Sequence, residues 1–390
     1  MPIPNRIADF VPEMTAWRHD FHAHPELGFQ ETRTSEAVAR LLEGWGIEVH
    51  RGLGRTGLVG VLKGRQAGGG SIGLRADMDA LPMPEINDFA HRSTNPGAMH
   101  ACGHDGHTAM LLGAAKYLAE TRNFAGTVHF IFQPAEEGLA GARAMIEDGL
   151  FDRFPCDAVY GIHNDPTMPL GQVRAVAGVV MAASDSFGLT VRGRGGHGAM
   201  PHLAIDPVLI GAQIVGGLQA IASRRADPLA SVVVSVTQFH AGSADNVIPD
   251  EAEIRGTVRT LTPEMRDMAE RLIGEIATGT AAAHGAVAEL RYNRRYPPTA
   301  NHAEQTERAA AAAAEVVGAR NLLREAPPVM GGEDFSFMLE KRPGAFLFVG
   351  QAEGAKGATS VHHPAYDFND NLLPIGAGYF ARLVERELAG

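Results

Sequence analysis

The chain has 390 residues, 45% apolar and 20% charged, and its 45 acidic against 34 basic side chains give a net charge of −11. That acidity speaks against binding a nucleic-acid backbone, and no apolar run approaches the roughly 20 residues needed to span a bilayer. The length predicts two domains of a soluble globular protein; only two cysteines, Cys102 and Cys156, and an N-terminal stretch without a signal-peptide core predict a reducing, cytoplasmic setting.

Residues 13–42 have helical periodicity. Segments 57–62 and 71–76 read as strands, with Gly68-Gly69-Gly70 a hairpin-type turn before the second. Residues 108–118 read as an apolar helix with Asp105 as its N-cap, 127–132 as a strand, 141–148 as a helix and 157–162 as a buried strand. Strands alternating with helices predict an α/β domain: a largely parallel mixed sheet with helices on both faces, whose ligands collect beyond the carboxyl ends of strands. From 184 the rhythm changes. Strands at 187–191, 231–237, 253–259 and 286–292 alternate with helices at 204–224 and 263–284, the β-α-β unit twice over of a ferredoxin-like α+β sandwich. A helix at 309–317 and a strand at 345–349 resume the first pattern. One domain is therefore expected from 1–183 and 297–390, interrupted by an inserted domain at 184–296.

The densest chemistry lies at His100-Ala101-Cys102-Gly103-His104-Asp105-Gly106-His107. A thiolate and three imidazoles are donors suited to zinc, manganese, cobalt or nickel. Cys102 and His104, two apart, can turn onto one ion from an extended loop. After the strand at 127–132, Gln133-Pro134-Ala135-Glu136-Glu137-Gly138 offers two carboxylates. Adjacent strand side chains diverge, but Pro134 breaks the ladder, so both acids can reach one cleft. Metal-assisted hydrolysis wants two such acids, one held by the metal and one to take a proton from water. A lone Glu-Glu pair is usually a solvated turn; the neighbouring metal-type cluster reverses that expectation. His163 ends the strand at 157–162. His362 and His363 lie together in a late loop, and spacing does not choose between them. Asp77 ends the strand at 71–76, where it suits a hydrogen bond to a ligating imidazole.

Further motifs follow in order: His22-Ala23-His24-Pro25-Glu26, Arg75-Ala76-Asp77-Met78-Asp79, Gly195-Gly196-His197-Gly198, Asn246-Val247-Ile248-Pro249 and Gly331-Gly332-Glu333-Asp334. Together with the segments above they resemble the metal-dependent amidohydrolases that include hippurate hydrolase, aminoacylase-like N-acyl-amino-acid hydrolases and plant indole-acetyl-amino-acid hydrolases. The resemblance implies a zinc-carboxypeptidase-like catalytic domain and an inserted dimerisation or lid domain. It implies a two-metal site with Cys102, His104, Glu137, His163 and His362 as ligands, one of them bridging; the family's His-x-Pro pattern selects His362 over His363. Glu136 would be the general base and acid. His197 would reach a partner subunit's active site and hydrogen-bond the carbonyl oxygen as charge develops there. Asn246 would line the substrate pocket, and Arg259 would anchor the substrate carboxylate through its planar fork. The cofactors are then two divalent ions (Zn, Mn, Co or Ni). The substrate is a small N-acyl amino acid, and the assembly is a homodimer through the insert or a tetramer built on it. Other readings are a carboxypeptidase or dipeptidase acting on peptides and, remotely, a non-catalytic metal- or peptide-binding protein on the same scaffold. Intact Glu136 argues against the last.

Overall fold

Near-continuous apolar runs such as 344–351 cannot alternate inside and outside, and they form strands buried on both faces. The computed structural model describes residues 5–390; residues 1–4, part of the N-terminal stretch read above as lacking a signal-peptide core, lie outside it. The strands used below are β1 (Glu48–Leu53), β2 (Gly57–Lys63), β3 (Gln66–Asp77), β4 (Ala125–Gln133), β5 (Ala158–Pro169), β6 (Val173–Arg174), β7 (Ala183–Arg192), β8 (Gly196–His197), β9 (Val232–Ala241), β10 (Val247–Ile248), β11 (Glu251–Thr260), β12 (Val287–Tyr296), β13 (Leu322–Leu323) and β14 (Gly344–Ala352). The chain divides into two compact units: Met1–Val180 with Ala300–Pro327 and Asp334–Gly390, and Met181–Thr299 with Pro328–Glu333.

The first unit holds an eight-stranded sheet in the order β1-β2-β4-β3-β5-β14-β6-β13. Its centre, β4-β3-β5-β14, is parallel, while β1 and β2 pair antiparallel at one side. Ile72, Leu74 and Ala76 of β3 share one core with the helices His104–Thr121, Ala303–Val317 and Leu373–Glu387. No helix among the described residues is long and apolar enough to cross a membrane.

Three local expectations fail here for physical reasons. The periodic stretch 13–42 is two helices, Val11–Ala23 and Thr32–Gly44, because Pro25 disfavours helix before it and Phe29 takes a left-handed φ of 63°. Gly68-Gly69-Gly70 is no turn but lies within β3, whose register against β4 shifts between Gln66 and Ser71. Asp105 is not the N-cap of its helix. Gly103, with φ 97°, takes that position and the helix starts at His104.

Asp105 instead points inward. Its Oδ2 lies 2.8 Å from His22 Nδ1 and 3.6 Å from Arg18, while the other His22 nitrogen lies 3.2 Å from Glu85. Arg18 is 1% exposed and also binds Asp370 at 2.8 Å and Asp367 at 3.3 Å. Burial alone would lower the His22 pKa, but the Asp105 and Glu85 carboxylates override it and lift the imidazole to about 9. A group raised above its unfolded value near 6.5 stabilises fully below that pH and loses its contribution as pH rises through the folded value. The stability gap between wild type and His22→Gln, read from urea unfolding, is therefore expected to close by about 3 kcal/mol between pH 6 and pH 10. A gap independent of pH contradicts a charged His22.

The second unit alternates strictly: Phe187, Leu189 and Val191 of β7 are buried, and the residues between them are not. The buried set packs on Ile210, Ile214 and Leu218 of helix Pro207–Ala220 and on Ala269, Leu272 and Ile273 of helix Pro263–Ala283. Asp206 and Thr262 cap these helices, each followed by a proline at the first helical position. The antiparallel sheet runs β9-β11-β7-β12, the ferredoxin-like arrangement. A short ribbon, β8 with β10, projects from this unit.

Candidate metal centre

Two parallel strands end at one place, β3 and β4, while His163 does not end its strand as the sequence predicted, because β5 runs on to Pro169. Asp77, last in β3, is in register with Gln133, last in β4, and His163 lies on β5 opposite Phe348 of β14. Beyond Gln133 the chain turns sharply, with Ala135 at a left-handed φ of 54°. Buried carboxylates hold that turn. Glu31 accepts the Ala135 N–H at 2.8 Å, and Asp79 accepts those of Glu136 and Glu137 at 3.0 Å each. Burial pushes the Glu31 carboxyl up to about 7. Glu136 is 7% exposed and accepts the Asp334 N–H at 3.4 Å; Asp334 is tied in turn to Arg75, Gln133 and the Ala142 N–H.

Donor atoms converge beside this turn. Cys102 Sγ lies 3.4 Å from His163 Nε2, and Glu137 Oε1 lies 3.2 Å from His362 Nε2 and 4.0 Å from His104 Nε2. The group Cys102, His104, His163 and the group Cys102, Glu137, His362 are each compact enough to hold an ion, and they share Cys102. Two bonds of up to about 2.3 Å to one ion span these separations. The rings are set for it: His163 Nδ1 donates to the Asn164 carbonyl at 2.7 Å and His104 Nδ1 to the Asp79 carbonyl at 2.9 Å, so each turns Nε2 toward the cluster. His104 Nε2 is buried without a hydrogen-bond partner, a costly condition that a cation would relieve. The residues therefore fit a metal.

The electrostatics agree. Burial disfavours charge on His104, yet Asp77 and Asp79 hold its pKa well up; contacts with Cys102 and Glu137 lift His362 to about 10. Burial works against the Glu137 anion, but His362 and His104 keep its carboxyl below the ordinary range. His163, by contrast, is driven by burial down to about 3, a neutral imidazole with a lone pair to give.

Among the residues singled out from sequence, Cys102, His104, Glu136, Glu137, His163 and His362 come together. His362, at a left-handed φ of 61°, meets Glu137, whereas the His363 ring accepts the Ala365 N–H of its own loop at 3.0 Å. Asp77 does not make the hydrogen bond expected of it. Its Oδ1 takes His107 Nδ1 at 2.6 Å, and it lies 3.7 Å from His104 Nε2. Asp79 is the carboxylate that serves a candidate ligand, touching His104 Nδ1 at 3.3 Å as well as bracing the Glu136 turn. The Asp77-x-Asp79 spacing was the only signal for it. Asp79→Ala is expected to weaken metal affinity about 10–100-fold in chelator competition; unaltered affinity would contradict its bracing role.

The other three lie in the second unit. His197 pairs with Val247 in the β8–β10 ribbon, and Asn246 accepts the Gly198 N–H at 2.8 Å, so both are exposed at one turn. Arg259 is not with them. It lies on β11 opposite Ser184, half-buried and bonded to the Thr257 hydroxyl and the Val258 carbonyl.

Residues 73–386 match the profile described as peptidase family M20/M25/M40. The chain belongs to that family. It is 44% identical over 385 residues to hippurate hydrolase of Campylobacter jejuni, covering 98% of each chain, and 41% identical to N-acetylcysteine deacetylase of Bacillus subtilis, covering 96% of each. The solved structure of the Bacillus subtilis YXEP protein, described as a dinuclear metal-binding peptidase from the M20 family, superposes with a TM-score of 0.85 at 37% identity, over 98% of this chain and 99% of that one. Family membership makes the chain a hydrolase of the metallopeptidase type, with a large mostly parallel sheet and an α+β insert.

Proposed function

We propose that this protein hydrolyses the amide bond of N-acyl amino acids of the hippurate type, releasing a carboxylic acid and a free amino acid. The observation that carries the reading is the pair of donor groups sharing Cys102, with buried Glu136 beside them. Cys102, His104 and His163 would hold one divalent ion, and Cys102, Glu137 and His362 the other. Thiolate favours zinc or nickel, while the imidazoles and carboxylate also accept manganese or cobalt. When bound, the ions supply Lewis acidity that polarises the scissile carbonyl and acidifies water. Glu136 takes the proton from the attacking water and returns it to the leaving amine. His197 donates to the carbonyl oxygen as charge builds on it, with Asn246 beside it, and Arg259 receives the substrate carboxylate.

The working form is a homodimer in which His197 serves a second subunit. Val208, Leu209, Val233 and Phe239, on helix Pro207–Ala220 and edge strand β9, leave apolar surface exposed for such a contact. The setting is the cytoplasm, consistent with two buried, unpaired thiols. The relationship to a protein described as a peptidase keeps a dipeptidase reading in play. The test is chelation and metal add-back on a panel of hippurate, N-acetyl amino acids and dipeptides. Restored cleavage of the acyl amino acids above the dipeptides supports the proposal; cleavage confined to dipeptides replaces it with the peptidase reading; activity indifferent to chelator defeats both.

A further inference from the structure

The second unit carries a hollow that none of this chemistry uses. Alternation in β7 buries Phe187 and Leu189 against the helices and leaves Ser186, Gly188 and Thr190 on the open face of the sheet. Register places Gly188 opposite Arg255 on β11 and opposite Arg291 on β12. Two arginines thus stand on either side of a glycine, about 10 Å apart across two strand spacings. A Cβ on Gly188 would meet nothing within 4 Å, so the missing side chain leaves an open floor between them. The hollow has a volume of about 490 Å³, and Ser186, Glu253, Asn293 and Arg295 also line it.

Charge balance matters in this hollow. Three arginines of the unit are held by carboxylates, Arg192 by Glu289, Arg266 by Asp185 and Arg294 by Glu270, each at 2.6 Å. Among the described residues neither Arg291 nor Arg295 has an ion pair, and Arg255 has only the exposed Glu253 at 3.2 Å. In a chain with a net charge of −11, this hollow sets three guanidinium groups, those of Arg255, Arg291 and Arg295, against the one carboxylate of Glu253. Guanidinium forks beside hydroxyl and amide donors are the chemistry of oxyanion recognition.

We propose that this hollow is a binding site for a small multiply charged oxyanion, a phosphate ester or a polycarboxylate, clamped between Arg255 and Arg291 with Arg295 at its rim. The test measures binding to the metal-loaded protein by calorimetry, with sulfate, a sugar phosphate and tricarballylate as probes, against sodium chloride at matched ionic strength. Wild type is expected to bind at least one probe beyond the chloride control, and the preferred probe tells a tetrahedral anion from a polycarboxylate. Arg291→Ala should weaken binding at least about tenfold by removing one clamp. Gly188→Val fills the floor without touching charge and suits a strand, so it should do the same. Arg192→Ala, which removes an already paired arginine, should leave the affinity as in wild type. Amide hydrolysis by Arg291→Ala without the anion should also match wild type. Absence of binding beyond chloride, or equal affinity in wild type, Arg291→Ala and Gly188→Val, overturns the proposal and leaves the hydrolase reading untouched.

Discussion

Glu136→Gln is expected to lower kcat by about 10³–10⁴-fold while leaving the metal content and the fold as they are. The amide side chain has nearly the same shape, and the backbone N–H that anchors the turn to Asp79 is retained. What it loses is the capacity to take and return a proton. Glu136 stands next to the donor cluster but belongs to a different role from Glu137, whose Oε1 meets His362 and His104. Turnover on hippurate with metal analysis of the same sample separates the two acids. Near wild-type kcat would refute Glu136 as the proton carrier, and loss of metal would make it a ligand instead.

Cys102→Ala is expected to cost both ions at once, because its sulfur is the atom the two donor groups have in common. Each ion would keep only two protein donors, His104 with His163 and Glu137 with His362. Affinity for each should fall by at least about 100-fold, and hydrolysis should vanish with it. Cys102→Asp provides the informative contrast. It restores a shared anionic donor but a harder one, so activity should return preferentially with manganese rather than zinc. If Cys102→Ala retained one tightly held ion, the sharing of Cys102 would be wrong even if the rest of the site were right.

The donors were legible in the sequence because thiol, imidazole and carboxylate are rare in apolar surroundings, and here they end predicted strands or open a predicted helix. Choosing His362 over His363 needed the family resemblance, since adjacent loop residues have no periodicity to separate them. What holds the donors was not legible. Asp79 meets the Glu136 N–H across 57 positions of chain, and Arg18 reaches Asp370 across 352. Such contacts follow from packing rather than from any local pattern. Asp105 shows the same limit: an acid just before an apolar helix reads as a cap, yet His22 and Arg18 draw it inward and Gly103 ends the loop. The glycine run at 68–70 misled for the opposite reason, because glycine permits a turn without requiring one and an irregular strand register can also absorb it.

The most direct measurement is anomalous X-ray diffraction from crystals of the active protein, collected at the absorption edge of the metal it carries. Two peaks should appear, both within about 2.3 Å of the Cys102 sulfur and flanked by His104 and His163 on one side and Glu137 and His362 on the other. A fully active protein showing no transition-metal peak, or peaks remote from Cys102, would contradict the account.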